Sequence, residues 1–325
     1  MNVLVTGGAG YIGSHACKTL CTSGYTPICY DNLIIGNSSA VKWGPFEFGD
    51  ITDLARLSEI IKKHEPEAVM HFAGSAYVGE SVTDPQKYYL NNVYGTLQLL
   101  EAMRKHKIDK LVFSSSCATY GLPECLPITE EQNQRPINPY GSSKLMVERI
   151  LKDFDIAYGI RSISLRYFNA AGADIESEIG ENHNPETHLI PLAICSALGL
   201  NPSITIFGND YDTQDGTCVR DYIHVSDICS AHILALKSLE NGASSNAYNL
   251  ANGQGFSIKQ IIEKVESVGG KKVPITIGKK RVGDPPVLIG NAVKATKALG
   301  WSPRFSSIQH IIETAWKWHI KTSRQ

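Results

Sequence analysis

Tyr140 and Lys144 stand four residues apart in Tyr140-Gly141-Ser142-Ser143-Lys144, at the start of a helical pattern. Positions i and i+4 share one helix face, so the ammonium can lie beside the phenol and favour its ionised form. Such a neighbour is what proton transfer at neutral pH requires, because an ordinary tyrosine titrates near ~10. Tyrosine and lysine at this spacing also occur on helices that do no chemistry, so the surroundings must decide. Ser114-Ser115-Ser116 ends an apolar run upstream and offers hydroxyls, although serines at strand ends also serve as turn formers.

A second constellation is Gly7-Gly8-Ala9-Gly10-Tyr11-Ile12-Gly13, which follows the apolar run Val3 to Thr6 and precedes a helical pattern from Ser14 to about Cys21. Strand, glycine turn and helix in that order form a dinucleotide fingerprint: the backbone can approach a pyrophosphate and the helix N-terminus offers free N–H groups. The next predicted strand, Thr26 to Tyr30, ends at Asp31. An acid there suits the adenosine ribose hydroxyls and repels a 2'-phosphate, so the expected cofactor is NAD rather than NADP.

These residues need a scaffold, and the chain supplies an alternation. Asp53 to His64 reads as a helix, Ala68 to Phe72 as a strand, Pro85 to Lys107 as one long helix, Lys110 to Ser115 as a strand and Ser162 to Leu165 as another. Strands separated by helices of this length predict α/β architecture, a doubly wound parallel (Rossmann) sheet, with functional residues at its carboxyl edge. Asp50-Ile51, Phe72-Ala73-Gly74 and the serine cluster fall there. Beyond Gly172 the alternation weakens, and prolines and glycines predict a smaller, less regular lobe. The expected division is residues 1–168 as an NAD-binding domain and 169–325 mainly as a substrate lobe, with a segment near 220–245 returning to the first domain. The lobe carries Arg220 and Arg281, each suited to phosphate and equally to a surface ion pair.

With 31 Lys+Arg against 32 Asp+Glu, the formal charge of -1 excludes a broad basic surface for nucleic acid or anionic membrane. The eight cysteines include no Cys-x-x-Cys pair, so a zinc or redox motif is not expected and they read as reduced core residues of a cytoplasmic protein. The longest apolar run, Leu189 to Leu200, is too short to span a bilayer.

Taken in order, Thr6 to His15, Tyr30-Asp31-Asn32-Leu33, Gly49-Asp50-Ile51, His71-Phe72-Ala73-Gly74, Val78-Gly79-Glu80-Ser81-Val82, Phe113 to Ser116, Pro139 to Lys144, Arg166-Tyr167-Phe168-Asn169, Phe207 to Tyr211 and Gly216 to Val225 resemble the extended short-chain dehydrogenase/reductase superfamily. Within it, they resemble the UDP-glucose 4-epimerase family over essentially the whole chain. The resemblance implies NAD contacts at Tyr11, Ile12, Asp31, Asn32, Asp50, Ile51, Phe72, Ala73, Gly74, Asn91, Tyr140, Lys144 and Phe168, added to Gly7, Gly10 and Gly13 of the fingerprint. It implies Ser116 and Tyr140 at the sugar hydroxyl, and a UDP site from Asn169, Leu189, Arg220, Arg281 and Asp284, with His188 beside the nucleotide and Leu288 walling the sugar. It also implies a homodimer and an NAD that stays bound through the cycle. Two positions depart from the pattern: Ala76 replaces a lysine found near the cofactor phosphates, and His188 replaces an asparagine.

The chemistry so implied inverts C4 of a UDP-sugar. Tyr140 takes the 4-hydroxyl proton while hydride leaves C4, the 4-keto sugar turns over, and hydride returns to the other face. UDP-glucose and UDP-galactose are the expected pair, with N-acetylated hexosamines and pentoses as alternatives. A 4,6-dehydratase would need an Asp-Glu pair after the serine cluster, where Cys117-Ala118 stand. A reductase using free NADH would leave the same motifs, and a catalytically silent NAD sensor would be expected to lack the tyrosine or the lysine.

Overall fold

The computed structural model describes residues 1–281 and 284–323. Along the chain, β1 (Asn2–Thr6) leads into α1 (Tyr11–Thr22), followed by β2 (Thr26–Asp31), β3 (Phe46–Phe48), α2 (Leu54–His64) and β4 (Ala68–His71). Then come α3 (Val78–Thr83), α4 (Pro85–Tyr88), α5 (Gly95–Lys105), β5 (Lys110–Ser116), α6 (Pro139–Tyr158) and β6 (Arg161–Tyr167). After β6 follow β7 (Asn169–Ala171), α7 (Leu189–Ala197), β8 (Ile204–Phe207), β9 (Val219–His224), α8 (Val225–Glu240) and β10 (Asn246–Leu250). The chain ends in β11 (Gly255–Ser257), α9 (Ile258–Gly269), β12 (Ile275–Gly278), β13 (Val287–Leu288), α10 (Val293–Leu299) and α11 (Ile308–Thr322).

Seven strands form one parallel sheet in the order β10-β6-β5-β4-β1-β2-β3. Because successive side chains point to opposite faces, β1 sends Val3 and Val5 into one core with Ile228 and Leu236 of α8, and Leu4 into the other with Leu57 of α2, Leu99 of α5 and Val147 of α6. Both faces are therefore apolar, as a doubly wound sheet requires. Each such side chain, fully buried, contributes ~1.5–3 kcal/mol. A third core joins α7, α9 and α11 into the smaller lobe, with Ile194, Ile262 and Trp316 among its residues. Both α8 and β10 come after the lobe begins yet pack on and pair with the large sheet.

The stretch from Pro85 to Lys107, expected as one helix, is interrupted by a wide π turn over Tyr89–Tyr94. The turn aims Asn92 inward, where it accepts from Ser75 N (2.7 Å) and donates to the Ser75 carbonyl (3.0 Å) and Ser143 Oγ (2.9 Å). A regular α-helix would rotate that amide away. Helix α6 starts sharply because Asn138 caps it, accepting from Gly141 N at 2.8 Å with Pro139 in its first turn, and it stops at Gly159 in the left-handed region.

Five cysteines are buried, as expected, but Cys21 and Cys125 are exposed, and all eight are free. No helix among the described residues is long and apolar enough to cross a membrane.

Candidate active site

The carboxyl ends of β1, β2, β4, β5 and β6 lie along one edge of the parallel sheet. At the end of β1, Gly7 adopts φ +72°, and a Cβ there would lie 2.5 Å from the Ala73 nitrogen, so the loop after β4 packs directly on the glycine turn. Gly10 differs: its φ of −77° suits any residue, and an added Cβ would meet a single atom, the Gly7 carbonyl oxygen, at 3.3 Å. Glycine there keeps the outer side of the turn clear for a ligand rather than relieving the fold. Gly10 caps α1 without a side-chain hydrogen bond, and the first turn holds no acid, so the N–H groups of Tyr11, Ile12 and Gly13 face outward at the positive end of the helix. This donor set fits a dinucleotide pyrophosphate.

Asp31, at the tip of β2, accepts from Ala9 N (3.0 Å) and Leu33 N (2.8 Å), and burial raises its pKa. Asn32 donates to Asp50 at 2.8 Å, and Thr52 gives Asp50 two further hydrogen bonds that hold its carboxyl below the usual range although burial opposes them. Ile51 is buried among the residues between the sheet and α2. Phe72 stacks on His232 with ring centroids 4.7 Å apart, Ala73 N donates to the Thr6 carbonyl at 3.0 Å, and Asn91 donates to Ser75 Oγ at 3.2 Å. Phe168 is buried with Cys117, Tyr120 and Ile128.

Tyr140 and Lys144 occupy the first turns of α6, facing the end of β5. Lys144 Nζ donates to the Ser114 carbonyl at 2.8 Å and lies 5.9 Å from the Tyr140 ring centroid. A Cβ on Gly74 would sit 3.5 Å from Nζ, which places the loop after β4 against the same amine. Ser116, buried like Lys144, accepts from Ala118 N at 3.1 Å through its hydroxyl. Burial pushes the phenol up to about 12, partly offset by the Ser116 hydroxyl, and pushes Lys144 down to about 8 against the pull of Glu148. The sequence led us to expect Lys144 to favour the phenolate. Desolvation opposes that ionisation, while the amine's place beside the ring supplies the fixed positive charge on which the expectation rests.

The residues that the resemblance assigns to UDP are arranged differently. Arg220 on β9 pairs with Asp284 and donates to the Val219 carbonyl (2.8 Å). Asp221, next to it, accepts from Asn252 N (2.9 Å), Gly253 N (3.0 Å) and Gly290 N (3.3 Å), and burial still raises it to about 6. Asn169 donates to the Asp221 carbonyl at 2.9 Å. Arg281 lies with its guanidinium 4.0 Å from the Phe207 ring centroid, and Val282 and Gly283 after it lie outside the described residues. Leu288 on β13 pairs in register with Arg220 and packs on the Cys117, Phe168 cluster. Leu189 begins α7, and His188 is its N-cap.

Sequence reasoning missed three features here. Asn92 ties the loop after β4 to α6 through Ser143, whose hydroxyl donates to the Tyr140 carbonyl at 2.7 Å. Glu148, four residues beyond Lys144, forms a buried bidentate pair with Arg166 (2.9 and 2.6 Å) and takes Ser115 Oγ at 2.5 Å. His188 does not stand alone: its Nδ1 lies 2.6 Å from Glu181 and 3.3 Å from Glu186, and His183 joins them. Burial alone would lower both imidazoles, but the two carboxylates raise His183 to about 9 and His188 to about 10. A regular spacing, Glu181-x-His183-x-x-Glu186-x-His188, was visible for this group.

The model of the NAD dependent epimerase/dehydratase family matches residues 3–251. A UDP-glucose 4-epimerase of Rhizobium meliloti (strain 1021) is 51% identical over 323 residues, 99% of this chain and 98% of that protein. The crystal structure of UDP-glucose 4-epimerase from Brucella ovis in complex with NAD superposes with a TM-score of 0.95 at 52% identity, covering 97% of each chain. That from Bifidobacterium longum in complex with NAD+ and UDP gives a TM-score of 0.94 at 37% identity, covering 99% of each. Sequence and fold thus match over nearly the full length, and this chain belongs to the NAD dependent epimerase/dehydratase family.

Proposed function

We propose that the chain is an NAD-dependent epimerase that inverts C4 of a UDP-sugar, interconverting UDP-glucose and UDP-galactose. The observation that carries this is the meeting of Ser116, Tyr140 and Lys144 with the uncapped glycine turn at one sheet edge, in a chain about half identical to UDP-glucose 4-epimerases.

Gly7, Gly10, Tyr11, Ile12, Gly13, Asp31, Asn32, Asp50, Ile51, Phe72, Ala73, Gly74, Asn91, Tyr140, Lys144 and Phe168 would hold NAD. When bound, NAD supplies the hydride acceptor for C4 and a positive charge. Tyr140 takes the 4-hydroxyl proton at its phenol oxygen and later returns it. It does so as the phenolate, a form that Lys144 and the cofactor's positive charge would both favour. Ser116 orients the reacting oxygen, and Lys144 fixes the end of β5 through Ser114 while adding positive charge. Asn169, His188, Leu189, Arg220, Arg281 and Asp284 hold UDP, the part of the substrate that never reacts, so the 4-keto sugar is free to turn over between hydride transfers.

In this reading residues 1–168, with α8 and β10, form the cofactor half, and the remaining lobe closes on the nucleotide. The enzyme works in the cytoplasm, in galactose metabolism, as a homodimer. Exposed Val82 (63%), Leu90 (51%), Tyr94 (46%) and Met146 (42%) on neighbouring helices supply an apolar face for a second copy. Incubation with UDP-galactose should yield UDP-glucose without added reductant, and light scattering should give twice the chain mass. No C4 product from any UDP-sugar, with NAD present, would overturn the assignment.

A further inference from the structure

The segment before α7 gathers two histidines and two glutamates whose donor atoms all lie within 4.8 Å of one another. His183 Nδ1 stands 3.3 Å from Glu181 Oε1 and 3.6 Å from Glu186 Oε2, and His188 Nδ1 stands 3.3 Å from Glu186 Oε1 and 2.6 Å from Glu181 Oε1. A tetrahedral ion with bonds of about 2.0–2.2 Å separates its ligand atoms by roughly 3.3–3.6 Å. Of these four nitrogen–oxygen distances, two of them to different oxygens of Glu186, three lie in that range and the His188–Glu181 distance needs to open by less than ~1 Å. From this geometry we infer that Glu181, His183, Glu186 and His188 form a site for a divalent transition-metal ion of the zinc type.

Two further observations point to a ligand. The Glu181 side chain is only 5% exposed, yet neither its Oε1 nor the buried Nδ1 of His183 makes a hydrogen bond of regular geometry, for all their close approach to charged neighbours. The four side chains thus bring donor atoms within 4.8 Å of one another with two of them left without regular hydrogen bonds, an arrangement a cation satisfies. The supports are also in place. Trp318 Nε1 donates to the Glu181 carbonyl at 2.9 Å, and the His183 ring stands edge to face between Tyr11 and Tyr77. His188, 47% exposed, leaves an entry path from solvent.

The ion would fasten the 181–188 segment to itself and, through His183, against Tyr11 at the start of α1. It would so fix the N-terminus of α7, which the proposed function places at the nucleotide. Mixed nitrogen and oxygen ligands favour zinc or cobalt over magnesium or calcium.

The test uses the full-length protein with its NAD, stripped with a chelator, exchanged into chelator-free buffer at pH 8 and titrated calorimetrically with zinc chloride. Cobalt(II) chloride is added in parallel and its visible absorption recorded. The expected result is one ion per chain at micromolar or tighter affinity, with tetrahedral cobalt bands, and an affinity at least ~10-fold weaker in His183→Gln. Glu186→Gln repeats the comparison should His183→Gln not fold. Absence of saturable uptake below ~100 μM, or equal affinity in a folded variant, would overturn the site. Epimerase activity is read separately, so failure here leaves the proposed function untouched.

Discussion

Lys144 is 5% exposed, donates a hydrogen bond to a backbone carbonyl and is paired with no carboxylate among the described residues. Arg220, at the end proposed to hold the nucleotide, is locked to Asp284, and His188 to Glu181 and Glu186. One end stores an unbalanced buried charge, while the other neutralises its charges until a ligand competes for them. The difference fits a reaction in which the inert nucleotide must be gripped and released, whereas the reacting hydroxyl must meet a field already in place.

The strongest way to break this comparison is Tyr140→Phe. If the reacting end works through one proton acceptor, turnover of UDP-galactose should fall by ~10²–10⁴-fold while UDP affinity stays within about threefold. Near-normal turnover would remove Tyr140 from the mechanism. Arg220→Ala should do the reverse. It deletes a charge-assisted contact worth ~1.5–3 kcal/mol, so UDP should bind roughly 10–100-fold more weakly while turnover at saturating substrate changes little. Titration calorimetry with UDP and a kcat against KM comparison separate the two.

Lys144→Met sharpens the contrast through pH. The folded-state pKa of Lys144 lies near 8, below its ordinary value, so the folded chain holds fewer protons than the unfolded chain between about 8 and 10.5. Stability of the parent should rise with pH across that window, and the cost of the buried charge is fully present below it. With both proteins saturated in NAD, the variant should be more stable by about 1–3 kcal/mol at pH 7, lose most turnover, and lose its stability advantage above pH ~10. A variant less stable at pH 7 would mean that the Ser114 hydrogen bond outweighs desolvation.

How far the sequence carried these conclusions depends on the range of the interaction. The parallel sheet was legible because β1, β2, β4 and β5 are continuous apolar runs between helices, and the cofactor turn because glycine reports backbone shape directly. Tyr140 and Lys144 could be paired because they share a helix face. The burial of Lys144 could not be read: the loop at Gly74, 70 residues upstream, lies against its amine, and no local pattern encodes that. Asn92 was hidden for a related reason, since the π turn that aims it inward looks like ordinary helix in sequence. The Arg220–Asp284 pair joins residues 64 positions apart, and only the parallel register of β9 and β13 brings them together.

Leu288 offers the smallest effect and the finest test. It lies on β13, beside the strand that carries Arg220, half-buried and in register with that arginine, while it packs on the cluster of Cys117, Tyr120 and Phe168. A residue that belongs to both ends is placed to set how much room the turning sugar has. Tyrosine there would add a ring where leucine leaves space, excluding an acetamido group by clash. Leu288→Tyr should therefore keep UDP-galactose turnover within about threefold and reduce any UDP-N-acetylgalactosamine turnover at least ~10-fold, about 1.4 kcal/mol of discrimination. The added volume also presses on the Phe168 cluster, at a cost of ~1–3 kcal/mol in stability if the core cannot yield. Melting curves track that cost apart from the ratio of the two rates. If that ratio is unchanged in a folded variant, Leu288 is a packing residue, and the division between a rigid reacting end and a gripping nucleotide end does not extend to sugar choice.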